Sequence, residues 1–98
     1  MIKVSIIIPC YNEEKTIHSL LKKILYIKEF KKQIIIIDDF STDNSLKKID
    51  EIKNSFDELL IIKHNKNLGK GAAIKSSKKH IIGDIVIIQD ADLEYNPD

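Results

Sequence analysis

Short apolar runs alternate along the chain with longer segments of helical periodicity. Four runs are almost wholly apolar and four to six residues long: Val4–Pro9, Ile34–Ile37, Leu59–Ile62 and Ile85–Gln89. Runs of this length, bounded by turn residues, favour strands buried on both faces. After the first run, apolar residues recur at i, i+3, i+4, i+7 and i+10, which predicts a helix from Glu14 with one apolar face: Ile17, Leu20, Leu21, Ile24 and Ile27.

Two further helices complete the pattern. Ser41–Asp43 offers N-cap residues for a second helix, and a third is expected from about Lys70 to His80, where Ala72 and Ala73 permit close packing. The order is βαβαβαβ, which predicts a three-layer α/β/α, Rossmann-like domain with a mainly parallel sheet. In such sheets ligands bind beyond the carboxyl ends of the strands, at a topological switch point.

Four polar clusters follow the predicted strands or precede the third helix, so we expect them to meet at one rim: Pro9–Glu13, Asp38–Ser41, Asn65–Gly71 and Asp90–Asp92. The loop after the first strand has no glycine, and there is no Walker A string. Dinucleotide binding of the usual kind and P-loop chemistry are therefore both disfavoured.

Composition narrows the class further. The 98 residues make one small domain, 43% hydrophobic and 32% charged, with a net charge of +1 that gives no bulk attraction to nucleic acid. Cys10 is the only cysteine, which excludes an internal disulfide and fits a reducing compartment. No apolar run reaches 18 residues. We expect a cytoplasmic location, peripheral to the membrane if the chain belongs to a longer protein.

The strongest chemical signal is the pair Asp90 and Asp92 at the end of the last apolar run. Two crowded carboxylates call for a cation, and Mg²⁺ or Mn²⁺ suits oxygen ligands while taking its other ligands from phosphates and water. A substrate with a diphosphate is therefore indicated. Ordinary turn carboxylates and a phosphotransfer motif with a nucleophilic Asp remain alternatives.

The other rim residues are less specific. Tyr11 offers a ring face for a base and Glu13 an acceptor, although Tyr11 could instead cap the sheet and Glu13 complement a helix N-terminus. Asp39 is a better candidate than Asp38 for a base or ribose contact, because adjacent strand residues point to opposite faces. Asp38 would then hold neighbouring backbone. A plain turn with capping carboxylates is the alternative.

The segment Gly69-Lys70-Gly71 opens the third predicted helix. Amides at a helix N-terminus attract anions, and Lys70 adds a positive charge. The alternative is a loop that needs a positive φ at Gly69 and close packing at Gly71. The three histidines are not spaced as metal ligands, and we expect them at the surface or at helix ends: His18, His64 and His80.

Taken together, the four clusters resemble family 2 glycosyltransferases of the GT-A fold. The resemblance covers the whole chain through four motifs: Val4–Glu14, Ile36–Asp43, Asn67–Ala72 and Asp84–Asp92. The Gly-Lys-Gly loop and the ending from Asp90 to Pro97 are most similar to the dolichol-phosphate and polyprenol-phosphate mannosyl- and glucosyltransferase branch. The sequence is therefore identified as a nucleotide-sugar-binding part of such an enzyme, and we expect residues 1–98 to be truncated at the C-terminal end.

The resemblance implies specific roles. A UDP- or GDP-sugar would be the donor, and the acceptor would be a lipid phosphate or a glycan. The nucleotide pocket would be lined by Pro9, Tyr11, Glu13, Ile37 and Asp39, with Lys70, Asp90 and Ala91 also contacting the donor. Asp90 and Asp92 would serve catalysis, with Asp92 and Glu94 as metal ligands in an inverting reaction.

Two departures from the family pattern carry expectations of their own. Phe40 stands where the family commonly has Gly, and we expect it to resist a positive φ and to reshape its loop. Glu94 stands where this branch usually has Gln. An inactive nucleotide-binding module and an aspartyl phosphotransferase or receiver-like domain are the rival functions, and an open sheet edge makes a homodimer conceivable.

Overall fold

Four parallel strands form one central sheet in a computed structural model that describes residues 2–56 and 58–91. The strands are β1 (Lys3–Cys10), β2 (Lys31–Asp38), β3 (Leu59–Lys63) and β4 (Ile85–Ile88). Their spatial order is β3-β2-β1-β4, so the chain steps outward from β1 to β3 and then crosses to the other side of β1. The α/β prediction is confirmed, and the topological switch point lies between β1 and β4.

Three helices cover the two faces of the sheet: α1 (Ile17–Leu25), α2 (Ser45–Ile52) and α3 (Lys70–Ser77). The apolar faces of α1 and α2 pack together on one side of the sheet, whereas α3 packs on the other through the fully buried Ala73. Short 3₁₀ turns follow α2 and α3. Within the described ranges, no helix has the length and apolar character needed to cross a bilayer.

The core consists mainly of isoleucines from β1 and β2. Because successive strand side chains point to opposite faces, Ile8 and Ile36 pack under α1 and α2 while Ile35 and Ile37 pack under α3. All four are fully buried. Burial of one such side chain contributes about 1.5–3 kcal/mol, so these two central strands are the stable part on which the loops are built.

The fourth strand corrects one expectation. The apolar run at Ile85–Ile88 predicts a buried strand, but its four side chains are 43–49% exposed. The reason is position: β4 pairs with β1 and lies at the end of the strand order, so among the described residues it forms an edge of the sheet. Apolar composition alone does not distinguish a central strand from an edge strand.

The helix starts also differ from the predictions. Helix α1 begins at Ile17 rather than Glu14, after a turn in which the Glu13 carbonyl accepts the Ile17 amide at 2.9 Å. The N-cap of α2 is Asn44, one residue after the candidates Ser41–Asp43, and the Asp43 carboxylate accepts the backbone amide and the hydroxyl of Ser45. Ile27 lies beyond the end of α1 and is 37% exposed.

A buried polar network sets the turn that leads into β4. The Ser5 hydroxyl donates to Gln33 Oε1 and accepts the Gly83 amide at 2.8 Å, and Gln33 Nε2 donates to the His80 carbonyl. Gly83 is required by space, since an added Cβ would lie 2.5 Å from Ser5 Oγ and 2.6 Å from Ser5 N. This contact fixes where β4 starts beside β1.

Candidate functional site

A cleft of about 300 Å³ opens at the carboxyl ends of the strands, above the switch point between β1 and β4. Its lining comes from the loops after β1, β2 and β4 and from the first turns of α3, so the four predicted clusters do meet. The lining residues are Pro9, Cys10, Tyr11, Glu13, Asp39, Lys70, Ala73, Asp90 and Ala91. Three carboxylates and one lysine are among them.

Asn12 joins the loops after β1 and β2, a role that the sequence analysis missed. Its backbone has a φ of 52°, a conformation that Asn tolerates better than most residues. Its Oδ1 accepts the Thr42 amide at 2.8 Å, and its own amide donates to Ser41 Oγ at 2.9 Å. Tyr11, one residue earlier, is 46% exposed and lines the cleft, so its ring face is accessible to a ligand.

Asp38 is buried at the end of β2 and behaves as expected of a backbone anchor. Its Oδ2 accepts the Ser41 amide at 3.1 Å, while Oδ1 has no hydrogen-bond partner among the described residues. The nearby Cys10 is buried in the core. Its burial, aided by the charge of Asp38, raises the pKa of the thiol to about 12. The thiol therefore stays protonated and unreactive at neutral pH.

Phe40 adopts the conformation that it was expected to resist. Its φ is 65°, in the left-handed region, and its side chain is 49% exposed. The expectation that Phe40 resists a positive φ is wrong, because the flanking residues impose the backbone. Asp39 donates its amide to the Cys10 carbonyl at 2.8 Å, and the Ser41 amide is held by Asp38. The strain is retained because contacts on both sides fix the loop.

Asp39 holds the loop that precedes α3 through hydrogen bonds to two backbone amides. Its Oδ1 accepts the Leu68 amide and its Oδ2 the Gly69 amide, both at 2.8 Å. Burial alone would raise the pKa of this carboxyl, but the hydrogen bonds from His64, Leu68 and Gly69 outweigh it and hold the pKa below its ordinary value of 3.8. Oδ2 keeps one lone pair, so a ligand contact remains open to it.

His64 is the residue whose placement sequence reasoning got wrong. It is not a surface histidine: its side chain is 8% exposed, with Nδ1 2.8 Å from Asp39 Oδ1 and Nε2 2.8 Å from Ser76 Oγ. Both partners are distant in the chain, so no local spacing indicated the contact. His18 and His80 are half-buried, near Glu51 of α2 and at the end of the turn after α3.

The Gly-Lys-Gly segment leads into α3 beside the cleft. Gly69 has the positive φ expected of it, 93°, and its carbonyl accepts the Ala73 amide at 3.1 Å. The expectation of close packing at Gly71 is wrong, since an added Cβ there would meet nothing within 4 Å. The Lys70 ammonium lies 2.5 Å from Asp90 Oδ1, so an ion pair bridges α3 and the end of β4 across the cleft.

The segment after β4 is held on the opposite side by α1. Thr16 Oγ1 donates to the Ala91 carbonyl at 2.7 Å, and the Ala91 side chain is buried against the α1 cluster. This leaves the Asp90 side chain, 59% exposed, at the cleft. Ile37, expected at the pocket, packs instead in the core with Ile7 and is fully buried.

Neither expected metal ligand lies within the described residues: Asp92 and Glu94 are both outside them. Within residues 2–56 and 58–91, no group of three His, Cys, Asp or Glu side chains is arranged to hold a metal ion. Asp90 is the member of the terminal acidic pair that the structure describes, and it faces the cleft.

The doubly wound sheet, with a cleft at its switch point, defines a Rossmann-like α/β domain. The strand order β3-β2-β1-β4 differs from the 2-1-3-4-5 order of receiver domains. Residues 5–98 match the family model described as Glycosyl transferase family 2. The chain therefore belongs to the family 2 glycosyltransferases, and its fold is the Rossmann-like half of the GT-A fold.

Individual relatives agree with this membership. The undecaprenyl-phosphate 4-deoxy-4-formamido-L-arabinose transferase of Proteus mirabilis is 40% identical over 98% of this chain and 31% of its own length. The S. aureus TarS 1–349 structure with UDP-GlcNAc aligns with a TM-score of 0.83 at 29% identity, over 92% of this chain and 26% of that one. Mannosyltransferase PcManGT from Pyrobaculum calidifontis, in complex with GDP-Man and Mn²⁺, aligns with a TM-score of 0.80 at 29% identity, over 91% and 27%. The chain thus spans about a third or less of each relative.

Proposed function

We propose that this chain is the donor-binding part of a glycosyltransferase that transfers a sugar from a UDP- or GDP-sugar. The observation that carries the proposal is the cleft at the switch point, where an accessible aromatic ring, buried and exposed carboxylates and a lysine converge. Relatives of the same fold include structures with UDP-GlcNAc and with GDP-Man. The lining combines an aromatic ring with charged side chains, which suits a ligand that carries both a base and phosphates.

The base would lie against the Tyr11 ring, near Asp39. Tyr11 is exposed at the cleft, and stacking on an aromatic face is worth about 1–3 kcal/mol per base. The diphosphate would lie near Lys70, where the first amides of α3 also lack intrahelical acceptors. On this proposal Lys70 leaves Asp90 when the donor binds and turns to a phosphate oxygen.

The oxygen ligands at the cleft also suit a hard divalent cation. Asp90 contributes an exposed carboxylate at the cleft, and Mg²⁺ or Mn²⁺ needs only one or two carboxylates when a diphosphate supplies other oxygens. Asp92 and Glu94 are the further candidate ligands, and the similar PcManGT structure contains Mn²⁺. When bound, the cation would neutralise the diphosphate as the leaving group. Asp90 would hold the donor on that side, and Tyr11 would orient its base.

The acceptor is the least constrained part of the proposal. A polyprenyl phosphate is favoured because the P. mirabilis relative is named for undecaprenyl phosphate. Such an acceptor is already an anion, so it needs no strong general base for attack at the sugar carbon, which would proceed with inversion. The location proposed accordingly is the cytoplasmic side, peripheral to a membrane.

Calorimetric titration tests the donor proposal directly. UDP, GDP and CDP are titrated into the chain with and without Mn²⁺, and we expect UDP or GDP to bind, more tightly with the metal. Asp92→Ala should remove the effect of Mn²⁺ while leaving the melting temperature unchanged, and Asp84→Ala, at the opposite end of β4, is the matched control. Absence of binding by all three nucleotides would refute the proposal.

A binding-only module is the rival that remains. It is separated by turnover: the chain is incubated with UDP-glucose or GDP-mannose, Mn²⁺ and a polyprenyl phosphate, and release of UDP or GDP is followed. Nucleotide binding without release, in the chain alone, favours the rival for this segment. A covalent phosphoryl adduct on Asp39 or Asp90 would instead support the aspartyl phosphotransferase alternative, which the sheet order disfavours.

A further inference from the structure

The inference concerns His64, which lies beneath the cleft rather than in its lining. Its ring contacts Asp39, directly after β2, and Ser76, near the C-terminal end of α3, so it joins the sheet to the helix that borders the cleft. Ser76 carries no charge, and its hydroxyl is also 3.0 Å from the Ala72 carbonyl. A histidine that is almost fully buried and bonded at both nitrogens is held in one orientation.

The proton on Nδ1 of this ring follows from its partner at that nitrogen. The low pKa of Asp39 keeps its carboxyl ionised at neutral pH, and an ionised carboxylate only accepts hydrogen bonds. The Nδ1 atom of His64 must therefore carry a proton and donate it to Asp39 Oδ1. With the Leu68 amide on the same oxygen, both of its lone pairs are used.

Asp39 in turn holds the approach to α3. Its two oxygens accept the consecutive amides of Leu68 and Gly69, and Gly69 takes the left-handed φ that starts the helix. Lys70 follows immediately and lines the cleft. A rotation of the Asp39 carboxylate would release both amides, so the direction of the Nδ1–H bond bears on the position of Lys70 and the first amides of α3.

We propose that His64 is a positioning residue for diphosphate binding: its Nδ1–H orients Asp39 so that the Leu68–Gly69 turn presents Lys70 and the start of α3 to the phosphates. The inference rests on the proposed function for its ligand. It assigns His64 no contact with the donor. Tyr11, against which the base is proposed to lie, does not belong to this series of hydrogen bonds.

A matched pair of variants separates the two ring nitrogens. The amide nitrogen of Asn can occupy the place of Nδ1, and that of Gln the place of Nε2. His64→Asn should therefore keep the bond to Asp39, whereas His64→Gln should keep only the bond to Ser76. Both variants retain a polar side chain, so a difference between them reports the Nδ1 bond and not the loss of the ring.

Two readouts are measured on the 98-residue chain. Amide exchange by NMR should show Leu68 and Gly69 exchanging about tenfold faster in His64→Gln, with His64→Asn close to wild type. Titration with UDP and Mn²⁺ should show about tenfold weaker binding for His64→Gln, since a hydrogen bond to a charged group contributes about that factor. Uridine, which lacks phosphates, should bind all three proteins equally.

The outcomes separate this inference from the proposed function. If the wild-type chain binds no nucleotide, the proposed function fails, and the exchange rates alone decide whether His64 orders the turn. If His64→Gln protects both amides as wild type does, or binds UDP as wild type does, the inference is overturned. Equal losses in both variants would also overturn it, because they would indicate ring packing rather than the Nδ1 bond.

Discussion

The positive φ of Phe40 predicts that a Gly variant is more stable than an Ala variant at this position, the reverse of the usual order. In ordinary positions Ala is more stable than Gly by about 0.5–1 kcal/mol, because Gly loses more backbone entropy on folding. At a φ of 65° every side chain with a Cβ is penalised by about 1–2 kcal/mol, and Gly is not. We therefore expect Phe40→Gly to be more stable than Phe40→Ala by about 0.75 kcal/mol, the difference between the midpoints of these two ranges.

The comparison isolates the backbone because both variants remove the same ring. Any stabilisation from the half-exposed Phe40 side chain is lost equally and cancels in the difference. For a domain of this size, 1 kcal/mol corresponds to about 4–8 °C in melting temperature. Thermal and urea unfolding followed by circular dichroism therefore resolve the effect, provided that the urea m-values of the two variants agree.

Lys47 supplies the control, since it is exposed within α2 and has ordinary helical surroundings. There Lys47→Ala should be more stable than Lys47→Gly by about 1 kcal/mol. The reasoning is refuted if Phe40→Ala equals or exceeds Phe40→Gly while the Lys47 pair behaves normally. That result would mean that the loop relaxes to a negative φ at little cost and that the flanking hydrogen bonds do not impose the strain.

Three further predictions concern stability. Gly83→Ala should lower the free energy of unfolding by about 1–3 kcal/mol, because its Cβ would overlap Ser5; an unchanged urea midpoint would contradict this. Ile36→Asp should abolish the folded circular dichroism spectrum by placing a charge in the core, whereas Ile36→Val should cost only about 0.5–1.5 kcal/mol; a folded aspartate variant would contradict the assigned burial. Asp39→Asn should have a lower free energy of unfolding than wild type above pH 3.8. This difference should shrink as the pH falls below 3.8, because the hydrogen bonds that lower the pKa of Asp39 stabilise the folded protein only while the carboxyl is ionised. A difference that does not change with pH between about 2 and 6 would contradict this prediction.

The scaffold was predictable because its signals are local. Short apolar runs located the four strands of the described residues, helical periodicity located α1, and the rule for ligand sites in parallel sheets located the rim. The edge position of β4 was not predictable from composition, because Ile85–Ile88 has the same character as the central strand β2. The start of α1 was missed because a turn closed on the Glu13 carbonyl precedes the helix, and such a turn has no periodic signal of its own.

The missed site residues share a different cause. His64 bonds to Asp39 and Ser76, which lie 25 and 12 residues away, so its burial depends on the tertiary arrangement and leaves no periodic trace. Asn12 likewise bonds to the loop after β2, 29–31 residues away. Ile37 was placed in the pocket by resemblance, and the structure packs it instead in the core on the α3 face.

Backbone strain and cross-loop bonds occur together at the cleft. Asn12, Phe40 and Gly69 are the positive-φ residues of the described ranges, and each belongs to a loop at the carboxyl end of the sheet. Conformations disfavoured locally persist only where surrounding contacts determine them, and here the contacts come from Asn12 and Asp39, which bond to amides of other loops. The isoleucine core is independent of these bonds. Substitutions at the bracing residues should consequently change ligand affinity more than they change the fold.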